Sequence, residues 1–382
     1  MNNLPLGDLS LDTFLAEYWQ KKPLLIRQAL PGIEPPIAAD ELAGLACEEE
    51  VESRLIIHDA ENDQWDLTDG PFAESRFSDL PKTHWSLLVQ AVDHWAPAAA
   101  DFLSLFHFIP SWRVDDLMIS YSGDMGGVGP HYDNYDVFLV QVSGRRQWEV
   151  GGLYDESSDL RADTAVKILS QWEPEQRWVL EPGDMLYVPP SVGHSGIAVG
   201  DDCMTCSVGF RAPSHRDILI DYPEYIGNQL SEDVRYTDPN LVSQSNPGQI
   251  TSEAVLIVQK ILTQYIEDQD GLAQWFGQYM TSPKYPDDEK TLEEHRLDDV
   301  RQHFSAGGTL IRNEASRFAF QEQEKNLRLF VDGRQYACSE SVTDLVKTLC
   351  SERAFSDFSG QSEEHDSLIL DLLNYGSLYF SE

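Results

Sequence analysis

The sequence predicts an α+β chain with a central β-barrel or sandwich, helices before and after it, and a small mixed unit at the end. Between Arg113 and Phe210, short apolar runs are separated by Gly- and Pro-rich turns, the pattern of many short strands. After Pro213 the apolar residues switch to helical spacing, and near the end a strand–turn–strand signal lies between helical segments. At 382 residues the chain exceeds what one core commonly supports, so two or three domains are expected.

The elements follow in order. Phe14, Leu15, Tyr18 and Trp19 recur at helical spacing after Ser10, and Gln20-Lys21-Lys22-Pro23 ends that helix. Leu24-Leu25-Ile26 reads as a short strand. A second helix is predicted over residues 85–95, where Leu88, Ala91, Val92 and Trp95 share a face. Leu117-Met118-Ile119-Ser120-Tyr121 begins the β region. A glycine-rich loop over 123–129 leads to a strand over 137–142, and Ser143-Gly144 turns into Gln147-Trp148-Glu149-Val150. Trp178-Val179-Leu180 runs into Glu181-Pro182-Gly183-Asp184. Pro before Gly is the order a type II turn requires, because Gly supplies the positive φ. Met185-Leu186-Tyr187-Val188 leaves that turn, and residues 204–210 form a further strand. Thr251 or Ser252 caps a helix whose apolar face carries Val255, Val258, Ile261, Leu262, Tyr265 and Ile266, either a subunit contact or an internal core. Leu327, Leu329 and Val331 alternate into an Asp332-Gly333 hairpin turn, followed by helices at Ser341 and over 368–373 and a closing strand Leu378-Tyr379-Phe380. This arrangement resembles a winged helix.

Composition narrows the function. No stretch approaches the ~20 apolar residues of a membrane span. The opening Met1-Asn2-Asn3-Leu4-Pro5 lacks the basic flank and apolar run of a secretory signal, so cytoplasmic residence is expected. Five scattered cysteines make no disulfide framework, and Cys203-x-x-Cys206 has no second pair for a zinc site. With 65 acidic against 27 basic residues the net charge is −38, which repels nucleic-acid phosphates and anionic lipid and favours a basic partner.

The chemistry centres on Gly129-Pro130-His131-Tyr132-Asp133. Residues two apart on an extended segment share a face, so His131 and Asp133 can reach one ion. An imidazole and a carboxylate are two of the three ligands of the non-haem iron(II) facial triad. His194 suits the third, following the Pro182-Gly183-Asp184 turn and the strand after it. Such a triad leaves positions open for a bidentate keto acid and dioxygen. Arg146, at the start of a strand, can bind the far carboxylate of 2-oxoglutarate through paired hydrogen bonds, with Arg145 competing for the role.

The run from Gly126 through Asp133, Asp136-Val137-Phe138, Gln141, Gly144-Arg145-Arg146-Gln147-Trp148, Glu181-Pro182-Gly183-Asp184, His194 and Ser207-Val208-Gly209-Phe210-Arg211-Ala212-Pro213 resembles the bacterial ribosomal oxygenases of the JmjC/cupin 2-oxoglutarate oxygenase superfamily. The opening Tyr18-Trp19-Gln20-Lys21-Lys22-Pro23-Leu24 fits as well, and the likeness is greatest to the arginine hydroxylases of large-subunit ribosomal protein 16. The resemblance implies a double-stranded β-helix (JmjC/cupin barrel) with N-terminal helices over 1–214, a helical dimerisation region over 215–305 and a winged-helix domain over 306–382. It implies His131, Asp133 and His194 as Fe(II) ligands, Arg146 as the 2-oxoglutarate clamp, Ser207 as a second polar contact to that co-substrate, and O2 as oxidant. Asp124, in the loop before the ligands, is a candidate partner for a substrate guanidinium by charge and position. Its expected partners are a basic ribosomal protein and a second copy of the chain, with no membrane and no direct nucleic-acid binding. Two alternatives stay open: the same chemistry on another side chain (histidine hydroxylation or demethylation), and a non-catalytic ligand-sensing DNA-binding protein.

Overall fold

The computed structural model describes residues 4–286, 294–324, 326–356 and 362–381. The chain forms two compact units, Met1–Ala212 and Pro213–Glu382.

In the first unit, α1 (Leu11–Glu17) starts at Ser10, whose hydroxyl accepts the Thr13 N–H at 3.2 Å. Next come β1 (Leu24–Ile26), α2 (Ala39–Leu45), β2 (Ser53–Asp59), β3 (Gln64–Asp69), α3 (Ser75–Ser78), β4 (Trp85–Val89) and α4 (Pro97–Ser104). The β region then supplies β5 (Val114–Ser122), β6 (Val137–Ser143), β7 (Arg146–Leu153), β8 (Gln176–Leu180), β9 (Met185–Val188), β10 (Val192–Ala198) and β11 (Cys203–Phe210). These strands make one eight-stranded sheet, in the order β1-β9-β6-β11-β5-β4-β2-β3, and one three-stranded sheet, β10-β7-β8.

The two sheets pack face to face. Val137, Leu139, Leu186 and Val188 of the large sheet join Trp148, Val150, Leu180 and Val192 of the small one in a single buried cluster. The alternate residues of β6 and β9, Phe138, Val140 and Tyr187, join Cys206, Val208 and Phe210 of β11 in a second core with Phe14 and Phe106 of the helical layer. Ring centroids 5.1 Å apart for Phe14–Tyr187 and 5.3 Å for Phe106–Phe138 lie in the range of favourable aromatic packing. Burial on both faces explains why these strands read as continuous apolar runs.

The helix expected over 85–95 is not formed. Trp85–Val89 is β4, paired with β2 and β5, and only a single 3-10 turn, Val92–His94, follows. Ala91 takes a left-handed conformation at φ +49°, which stops helix propagation. A short apolar run buried on both faces carries no periodicity that separates strand from helix. The Cys203/Cys206 pair is divided by strand alternation. Cys206 faces the apolar core, where burial pushes its thiol pKa up, whereas Cys203 accepts a hydrogen bond from the inward-facing Gln141 at 3.4 Å.

The Pro182-Gly183 turn forms as the sequence predicts. Asp184 N–H donates to Glu181 O at 2.9 Å, with Gly183 at φ +93°. Asp184 then locks the turn to the N-terminal segment, accepting from Gln28 N at 2.9 Å and from Arg27 at 2.5 Å; these donors hold its carboxyl below the usual range against the opposing effect of burial.

In the second unit, α5 (His215–Gly227) opens with a Ser214/Asp217 capping box, and Thr251 rather than Ser252 caps α6 (Ser252–Ile266). The remaining elements are α7 (Gln269–Thr281), α8 (Leu297–Ser305), β12 (Leu310–Arg312), β13 (Phe318–Glu322), β14 (Leu327–Val331), β15 (Arg334–Cys338), α9 (Thr343–Ser351), β16 (Ala354–Phe355), α10 (Glu363–Asn374) and β17 (Leu378–Phe380). Asp332 and Gly333 both have positive φ, +49° and +77°, as a two-residue type I′ hairpin requires. Leu329, Val331, Val346, Leu349, Ile369 and Leu372 fill the core of this unit. No described helix is long and apolar enough to cross a membrane.

Gly183→Ala tests the turn. A Cβ there would stand 2.9 Å from Leu30 O in a conformation L-residues avoid. The substitution is expected to lower stability by about 1–2 kcal/mol in thermal unfolding.

Candidate metal centre and co-substrate pocket

His131 and His194 meet through the backbone before any side chain is considered. They form an isolated antiparallel bridge, with His131 N donating to His194 O at 2.9 Å and His194 N to His131 O at 2.8 Å. Residues directly paired in this way project side chains to the same face. Ser191 N donates to Asp133 O at 2.7 Å, so Asp133 is carried alongside the same strand edge, where β10 is irregular between Val192 and His194. One ligand atom from each of His131, Asp133 and His194 lies within 4.8 Å of the others. The two imidazole centroids are 4.2 Å apart, and His194 Nε2 is 3.6 Å from Asp133 Oδ2.

Both rings are oriented the same way. His131 Nδ1 is 3.0 Å from Gly129 O, and His194 Nδ1 is 3.1 Å from Val192 O, each a carbonyl two residues upstream. Nδ1 must carry the hydrogen to donate there, which leaves the Nε2 lone pair facing the cluster. Burial first, then the neighbouring His131, pushes the His194 pKa down to about 4, while Asp133 opposes the shift. His194 is therefore neutral near pH 7, the form that binds a metal ion. Two imidazole nitrogen donors and one carboxyl group make a donor set that fits a divalent iron-type cation.

Arg146 is 4 % exposed and reaches across the barrel from β7. Its Nε donates to Thr205 Oγ1 at 3.0 Å, Nη2 to Ser122 Oγ at 2.8 Å and Nη1 to Gly196 O at 3.3 Å. All three partners are neutral, and among the described residues no carboxylate pairs with it. A buried guanidinium without a charged partner is costly. Gly196 and His194 are two residues apart on β10, roughly 7 Å along the strand. That is about the span of a five-carbon dicarboxylate.

Residues 101–218 match the JmjC domain family and residues 264–379 the ROXA-like winged helix. The chain is 36 % identical over 308 residues to the ribosomal protein uL16 3-hydroxylase of Escherichia coli (strain K12), covering 80 % of each. It is 34 % identical over 284 residues to a probable ribosomal oxygenase of Haemophilus influenzae, covering 71 % of this chain and 68 % of the relative. The chain belongs to the JmjC ribosomal oxygenases. The X-ray structure of E. coli YcfD matches with a TM-score of 0.88 at 30 % identity, over 98 % of this chain and 99 % of that one. YcfD in complex with cobalt and 2-oxoglutarate matches over the same shares with a TM-score of 0.86 at 30 % identity.

Within this ribosomal oxygenase, the structure brings His131, Asp133, His194 and Arg146 to one pocket. Ser207 is buried on the same inward face of β11 as Thr205. The Asp124 carboxylate accepts the Gly200 N–H at 2.7 Å, in the turn that follows β10. Sequence reasoning missed Ser122, Gln141 and Thr205, which form a chain: Thr205 Oγ1 donates to Gln141 Oε1 at 3.0 Å while accepting from Arg146. The signal was present, since Thr205 and Ser207 alternate on one strand. Also missed were Asp116 and Tyr135. Asp116 is 3 % exposed and accepts from Gln90 Nε2 at 2.6 Å and Ala91 N at 3.0 Å. Desolvation, then the Asp133 and Asp116 charges, push the pKa of the Tyr135 hydroxyl up.

His131→Ala and Asp133→Ala are each expected to weaken Mn(II) binding by more than about 10-fold in titration calorimetry and to abolish turnover, with the circular dichroism spectrum preserved. Native-like Mn(II) affinity in either variant would remove that residue from the ligand set.

Proposed function

We propose that this chain is an Fe(II)- and 2-oxoglutarate-dependent hydroxylase acting on an arginine side chain of ribosomal protein uL16, as a homodimer in the cytoplasm. The observation that carries the reading is a three-donor cluster on the same barrel face as a buried guanidinium that no carboxylate pairs with among the described residues. The relatives support it, one being a uL16 hydroxylase and another binding cobalt and 2-oxoglutarate.

His131, Asp133 and His194 would hold the metal on one side, leaving the opposite side for the keto-acid end of 2-oxoglutarate. Bound iron(II) supplies the dioxygen activation that couples decarboxylation to succinate with insertion of one oxygen atom into a C–H bond. Arg146 would neutralise the far carboxylate, its orientation fixed by Thr205 and Ser122, with Ser207 as a further polar contact. The apolar inner faces of β6 and β9, carrying Val137, Leu139, Leu186 and Val188, exclude water from that volume. Asp116, whose charge acts on Tyr135 as that of Asp133 does, and Asp124, in the loop before the ligands, are the carboxylates offered to a cationic substrate side chain. The net charge of −38 draws basic ribosomal proteins and opposes direct nucleic-acid binding.

Dimerisation is supported by α6, where Val255, Leu256, Val258, Leu262 and Ile266 are each about half exposed or more. A large apolar helix face on a chain this charged is what a subunit interface covers.

Incubation with Fe(II), 2-oxoglutarate and purified ribosomal proteins is expected to add one oxygen mass to uL16, located to an arginine by fragmentation. Unmodified uL16 beside an active control enzyme would sink the proposal, and oxygen on another residue would change the substrate. Arg146→Ala is expected to raise the 2-oxoglutarate requirement by about 10- to 100-fold, the loss of a charge-assisted hydrogen-bonded pair. Light scattering should give twice the chain mass, and Val255→Asp with Leu262→Asp should reduce it to one chain mass.

A further inference from the structure

Trp148 lies between the two halves of the pocket. Its ring centroid is 6.0 Å from that of His194, and the Arg146 guanidinium carbon is 5.9 Å from the indole ring. It pairs in register with Gly196 across β7 and β10 and is 6 % exposed. A Cβ on Gly196 would approach the Trp148 benzo atoms Cη2 and Cζ3 at 2.8 Å, so only glycine lets the ring lie against β10. With the benzo edge on Gly196, the pyrrole edge faces away from that strand.

The indole Nε1 is buried and has no hydrogen-bond partner among the described residues. The buried cluster that Trp148 joins, with Val137, Leu139, Val150, Leu180 and Leu186, is made of apolar side chains. An unsatisfied buried donor costs about 1–3 kcal/mol, and native structures rarely keep one without a reason. Arg146 presents the same imbalance, a buried donor group short of an anion, and the two lie side by side.

We propose that Trp148 Nε1–H is a binding element for the dicarboxylate co-substrate, donating to an oxygen of the anion that Arg146 neutralises. This rests on the 2-oxoglutarate reading above. The indole donor and the guanidinium thus recognise one ligand together. Trp148 forms one wall of its pocket, and Gly196 is required so that this wall can approach. Phe at this position keeps the apolar wall and removes only the donor.

The test is calorimetric titration of 2-oxoglutarate into the full chain loaded with Mn(II), comparing native protein with Trp148→Phe. The expected result is an affinity about 10-fold weaker in the variant with unchanged Mn(II) affinity. Equal 2-oxoglutarate affinity in both proteins overturns the proposal and leaves the indole to a buried water. A parallel loss of Mn(II) affinity also overturns it, because Trp148 would then act through His194. No 2-oxoglutarate binding to the native protein would defeat the co-substrate reading itself. A second readout needs no substitution: in 15N-tryptophan-labelled native protein loaded with Zn(II), one indole N–H resonance should shift on adding 2-oxoglutarate, and unmoved indole resonances would count against the proposal even if the variant fails to fold.

Discussion

The centre depends on one piece of backbone geometry, the reciprocal pair of hydrogen bonds between His131 and His194. Two segments far apart in the chain become neighbours there, and the pairing directs both imidazoles to one side. The carbonyls of Gly129 and Val192 then fix both rings through Nδ1. Metal affinity in such a site is a consequence of strand register. A slip of one residue would turn either ring to the opposite face, so the cluster and the barrel stand or fall together.

That register is anchored from outside the barrel. Asp136, fully buried three residues after Asp133, accepts from Tyr187 Oη at 2.6 Å and from Gln20 Nε2 at 2.9 Å. It thereby ties the ligand segment to β9 and to the end of the first helix. Burial pushes the Asp136 pKa up, and the donors around its carboxylate oppose that shift. Asp184 plays a matching role where β9 begins. The N-terminal helices are thus a second layer that holds the ligand-bearing strands in place.

The inner face of the barrel divides by chemistry. On β5 and β11 it carries Asp116, Ser120, Ser122, Thr205 and Ser207, whereas on β6 and β9 it is apolar apart from Gln141. A polar wall facing an apolar wall suits a dicarboxylate, whose charged ends need donors and whose carbon chain does not. Among the described residues this wall leaves a buried cation with no carboxylate partner and a buried indole donor with no acceptor.

Much of this was legible in the chain itself. His131, Asp133 and Arg146 sit beside turn residues and strand alternation, local signals that need no knowledge of the rest of the fold. The type II turn at Gly183 and the hairpin at Asp332-Gly333 were equally local, because each depends on the φ of one or two residues. What only the tertiary structure decided was long-range. Trp85–Val89 became a strand because β2 and β5 pair with it, which overrode a helical spacing of apolar residues. Thr205 and Ser122 became partners of Arg146, and Asp124 a partner of the Gly200 N–H, because barrel closure sets which distant strands meet. Local sequence determines which way a side chain faces; only pairing across the sheets determines what it faces.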